Sequence, residues 1–172
     1  MRKLSSKKDQ SGAIMPDVNF VNYSQILEDF RAALAGASLI NGLSFATKSD
    51  GSRSVFGNAQ DTDFDYVNMP MADCRIRRAD PENTAGQTYY NDIVIEVEIA
   101  CFDMTSRAKC AKMRDDLTNA VQRFFQQNPH FSAFVDTVQV GAVDFETGET
   151  KAQGEFVAAA VAQFHVKLYS EN

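Results

Sequence analysis

Asp92-Ile93-Val94-Ile95-Glu96-Val97-Glu98-Ile99-Ala100-Cys101-Phe102 decides the fold. Successive side chains of an extended chain point to opposite sides. Ile93, Ile95, Val97, Ile99 and Cys101 therefore share one face, and Val94, Glu96, Glu98, Ala100 and Phe102 the other. One dry face and one face bearing carboxylates describe a half-buried antiparallel strand. A strand of an all-parallel sheet reads as apolar on both sides.

Working outward, the period changes from two to three and four. Thr105 or Ser106 caps a helix whose stripe is Met113, Leu117, Ala120, Val121 and Phe124, with Ala108 and Cys110 near it. Arg107, Lys109, Lys112, Arg114, Asp115 and Asp116 are expected to face water, and Asn128-Pro129 ends the helix. A long hairpin follows: Val135, Val138, Val140 and Val143 begin it, Glu146-Thr147-Gly148-Glu149 turns it, and Phe156 to Tyr169 returns. Ala160, Ala162, Phe164, Val166 and Leu168 face one side of the returning strand. That strand is long beside the usual ~5–6 residues, and a strand that overshoots its own core pairs with something else.

Toward the N-terminus, Met71, Cys74 and Ile76 alternate with charged residues in a strand that Pro70 introduces. Asp80 to Gly86 is turn-rich. Asp50-Gly51 marks a tighter turn between Phe45-Ala46-Thr47 and Ser54-Val55-Phe56. A first helix carries Ile26, Leu27, Phe30, Ala33, Leu34 and Ala37, with Asn22 as cap, Gln25 in the capping-box position and Asn41-Gly42 as the stop. The expected fold is α+β: a mainly antiparallel sheet, two helices on one face and a long C-terminal hairpin.

A chain of 172 residues suits one domain, here 20–172, behind a flexible basic arm, 1–19. Arg2, Lys3, Lys7 and Lys8 put four positive charges in the first eight residues, and the residues after them carry 13 basic against 23 acidic, a charge of −10. Such a body is a poor ligand for phosphate backbones, so specific nucleic-acid binding is not expected of it. No apolar run approaches the ~20 residues of a membrane helix, and no apolar segment follows the N-terminal charges as in a secretion signal. Cys74, Cys101 and Cys110 form an odd set, which suits free thiols in a reducing compartment.

Residue patterns that carry chemistry are sparse. Cys101 and Cys110 read as packed thiols rather than a metal pair. Asp61, Asp63 and Asp65 open like a calcium loop, but Tyr66 stands where the glycine belongs and Ala72 where the bidentate glutamate belongs. Gly42-Leu43-Ser44-Phe45-Ala46 follows a helix, the wrong context for a nucleophile elbow. No catalytic, cofactor or metal residue is assigned. Glu96 and Glu98 read as charges of an interface or channel wall. Phe56, Phe64, Tyr66, Tyr89 and Tyr90, in loops or at loop edges, read as interface anchors with Glu146, Gly148 and Glu149 of the hairpin tip. A charge at that tip, Gly148→Lys, is expected to spare the fold and impair assembly.

In this order the chain resembles the tail terminator, or tail-completion, proteins at the neck of long-tailed bacteriophages. The resemblance runs over residues 23–170: an amphipathic helix, the strand Met69-Pro70-Met71-Ala72-Asp73-Cys74-Arg75-Ile76, the central strand Asp92 to Ile99, a helix over Ser106 to Gln127 and a hairpin ending at Phe164-His165-Val166-Lys167-Leu168-Tyr169. It implies a structural, non-enzymatic virion protein, assembled in the bacterial cytoplasm. Its partners would be further copies in a hexameric ring, the tail tube protein and the head-tail connector, with DNA passing through unbound. Other readings are a head-tail adaptor, a small ligand-binding or enzymatic α+β domain, and a regulatory module that binds through the basic arm.

Overall fold

The computed structural model describes residues 22–60, 63–83, 89–149 and 155–168. Its elements are α1 (Tyr23–Ala35), β1 (Val55–Gly57), β2 (Met71–Asn83), β3 (Tyr89–Asp103), α2 (Arg107–Gln127), β4 (Val135–Glu149) and β5 (Phe156–Leu168). The strands form one sheet in the order β1-β2-β3-β5-β4, antiparallel throughout except that β1 lies parallel to β2. The fold is α+β, as the sequence predicts.

The central strand keeps its predicted register. Ile93, Ile95, Val97, Ile99 and Cys101 are fully buried and face the helices. Ala158, Ala160, Ala162, Phe164 and Val166 continue that buried face across β5. Phe30 of α1 stacks on Phe125 of α2 at 4.0 Å, and both meet Phe164 edge-on, so the two helices close over the same face of the sheet. The side chain of Asn22 caps α1 by accepting from the Gln25 amide, and that of Ser106 caps α2 by accepting from the Lys109 amide.

Several local readings change. Gln25 donates to Asp29 rather than closing the capping box, and α1 stops at Ala35, short of Asn41-Gly42. That pair instead forms a separate 3-10 turn with φ of 58° and 68°, values open to asparagine and glycine. Asp50-Gly51 turns the chain, and its arms meet in a short antiparallel Thr47–Arg53 bridge, with Arg53 also donating to the Phe45 carbonyl, before Val55–Gly57 leaves to pair with β2.

Residues 80–83 belong to β2 rather than to a turn. Pro81 is tolerated because β1 covers only Ala72–Cys74, so no strand on the outer side of β2 needs its missing N–H. Tyr89 and Tyr90 consequently stand at the start of β3, opposite Asn83 and Glu82. Glu146, Gly148 and Glu149 are strand residues too, paired with Ala159, Val157 and Phe156. The pairing of β4 with β5 runs past Gly148 to Glu149 opposite Phe156, so these residues are not the hairpin tip.

Arg114 is the clearest departure on α2. It is buried at 7% exposure, although its charge suggests water. Its guanidinium donates to the Glu146 carbonyl at 2.8 Å and to Asp115, and lies 4.9 Å from the Phe145 ring centre, so burial leaves the charge well partnered.

Candidate functional site

With both helices on one side, the other side of the sheet is open. Its rows follow from strand register: Met71–Ala100–Ala159–Glu146, then Asp73–Glu98–Val161–Asp144, then Arg75–Glu96–Gln163. Residues 58–60 and 63–69 pack at one end of this face. There the Ala59 amide donates to Asp73 Oδ1 at 2.7 Å, and Tyr66 stacks on Phe102 at 4.2 Å.

Glu96 and Glu98 lie where the alternation puts them, side by side on this face, but the face is less wet than expected. Val94 and Ala100 beside them are buried. Arg75 bridges the fully buried Asp73 and Glu98 at 2.7 and 2.8 Å. Glu96 accepts from Gln163 at 3.2 Å and has Arg77 Nε at 3.8 Å. Burial raises the pKa of Glu98 above its ordinary value, with Asp73 and Glu146 adding to the shift and Arg75 opposing it. The carboxylates therefore sit in a cross-strand charge lattice, each with a cationic or amide neighbour.

The proposed anchors are dispersed. Tyr66 is 43% exposed; Phe56 is half-buried with Lys48 Nζ 5.0 Å from its ring centre; Phe64 is half-buried. The side chains of Tyr89, Tyr90 and Glu149 lie outside the described residues, whereas Glu146 is exposed at the sheet edge. Sequence reading missed Val67 and Met104, 76% and 68% exposed, which flank the Tyr66–Phe102 stack in sequence. It also missed Phe145, 55% exposed on β4. A stretch such as Tyr66-Val67-Asn68-Met69 looks like the start of a strand, and only the 3-10 turn over Tyr66–Asn68 turns its apolar side chains outward.

The remaining titratable groups are packed or local. Cys110 Sγ donates to the Cys101 carbonyl at 3.3 Å, and burial pushes the Cys101 thiol up to about 12 and also raises Cys74 and Cys110, away from nucleophilic thiolate. Asp63 accepts from the Gln60 amide, and Asp61 lies outside the described residues. His165 Nδ1 stands 4.0 Å from Asp92. Among the described residues no three His, Cys, Asp or Glu side chains are placed to hold a metal, and no helix is long and apolar enough to cross a membrane. A shallow cleft of about 240 Å³ opens in the helix layer between Leu39-Ile40 and the end of α2, lined by Ala120, Phe124 and Asn128. No family model matches the chain, and no curated protein matches it.

Proposed function

We propose that the chain is a structural subunit of a ring at the head-tail junction of a long-tailed bacteriophage, terminating the tail tube and joining it to the head connector. The observation that carries this reading is the division of the sheet. Both helices cover one face, which leaves a second face and the outer strand edges for neighbours. The order of helix, Pro-led strand, central strand, helix and hairpin supports it, since tail terminators resemble this arrangement.

The charge of the open face suits a channel. Asp144 and Glu146 are exposed on it, next to Glu96 and Glu98, which Arg77 and Arg75 partly offset; a surplus of carboxylates on such a wall repels phosphate so that DNA slides without adhering. Tyr66, Val67 and Met104 offer apolar contact near one end of the sheet, for the tube protein or the connector.

Electron microscopy of particles made when the gene is disrupted tests the reading. Filled heads beside detached tails of variable length are the expected result. Detached tails of normal length would move the protein to an adaptor role. Intact, infectious particles would overturn the virion reading.

A further inference from the structure

Among the described residues three stretches have no strand on their outer side: the three-residue β1, β4 along its length, and β2 beyond Cys74; only the last two are long enough to dock a strand. A free edge presents unpaired backbone donors and acceptors to another chain. Each of β2, β3, β5 and β4 is antiparallel to the next, so β2 and β4 run in opposite directions. A copy turned about an axis along the strands and set beside the first would therefore bring its β2 antiparallel to β4, the more stable pairing.

The two edges differ in usable length and in charge. β1 occupies the outer side of Ala72–Cys74, and Pro81 lacks an N–H, which confines docking on β2 to Arg75–Asp80. That stretch holds Arg75, Arg77 and Arg78. Its register shifts between Ile76 and Arg78, and within the subunit Arg75 already meets Asp73 and Glu98, and Arg77 stands 3.8 Å from Glu96. On β4 the register is interrupted between Val135 and Thr137 and between Val140 and Val143, then runs regularly from Val143 to Glu149. This regular run holds Asp144 and Glu146 on one face and Glu149 on the other, and the Glu146 carbonyl already accepts from Arg114.

We propose that copies of this chain join head to tail through these edges, with Val143–Glu149 of one antiparallel to Arg75–Asp80 of the next. Arginines then face carboxylates across the seam. Pairing β4 with β4, or β2 with β2, would set like charges opposite each other, which destabilises a cross-strand pair. A join between two different patches propagates around a ring. Because β1 prevents the strands from meeting flush, each join is offset along the strands, and a sheet that closes on itself requires such a stagger. The open face and the helix layer end up on opposite sides of the ring wall. This inference rests on the ring reading above.

Native mass spectrometry of the full chain over a concentration series tests it, with folding of each variant checked by circular dichroism. Wild type should form closed oligomers. Asp144→Arg with Glu146→Arg, on one edge, and Arg77→Glu with Arg78→Glu, on the other, should each abolish them. Mixing the two variants should restore them, because each join again pairs opposite charges. Wild-type rings that survive either pair of substitutions, or a mixture that stays monomeric, would overturn the edge join and leave the ring standing. Wild type that remains monomeric at every concentration would overturn both.

Discussion

Glu98 is pulled two ways: burial and the neighbouring carboxylates Asp73 and Glu146 favour its neutral form, and Arg75 favours the charged one. The first influence wins, so the folded protein holds this proton more tightly than the unfolded chain does. Stability from Glu98 is then fully present below the unfolded value, ~4.3 for a free glutamate, and is lost as pH rises through the raised folded value. Glu98→Gln should therefore be more stable than wild type at neutral pH, and the gain should vanish by about pH 3.5, below the free glutamate range. Urea unfolding midpoints at both pH values measure it. Placing Glu98 on this face needed only the alternation of β3. Its partner Arg75 was out of reach, because that contact depends on β2 lying beside β3 in one particular register.

At the scale of elements, α2 shows what local signals convey and what they miss. A cap at Thr105 or Ser106 was legible, since a hydroxyl before an apolar stripe satisfies an otherwise orphaned amide, and the structure selects Ser106. Ser106→Ala should cost about 1 kcal/mol in chemical denaturation. Leu117, 1% exposed on the buried stripe, should cost ~2–5 kcal/mol on truncation to alanine. Arg114 was misread because charge alone assigned it to water, whereas the contacts that bury it, the Glu146 carbonyl and the Phe145 ring, come from β4, about thirty positions along the chain. The same limit displaced the hairpin turn. Gly148 and the adjacent glutamates carry turn chemistry, but continued pairing with β5 overrides it. Gly148→Lys therefore probes a strand edge rather than a tip. The α+β class, both helices and the four long strands were readable from periodicity; the short parallel β1 was not, because three residues carry no period.

For the whole molecule, the surface residues argue for contacts that the isolated domain does not need. Val67 is 76% exposed. Val67→Asp should change the unfolding free energy by no more than ~0.5 kcal/mol, as is usual for surface positions. On the reading proposed above it should nevertheless weaken docking onto purified tail tubes, which co-sedimentation would register. Unimpaired docking would exclude this end of the sheet from that contact.

The placement of β5 has a consequence for how the molecule comes into being. It lies between β3 and β4, yet it follows both in the chain. Until the ribosome has released the chain through Leu168, β3 waits with one edge bare and its Ile93-to-Cys101 face incompletely covered, and β4 has no partner in the sheet at all. Pairings such as Asp92 with Lys167 span most of the second half of the sequence, and contacts that distant form slowly. The nascent protein therefore passes through an interval with sticky, unpaired strands, when it is most open to aggregation.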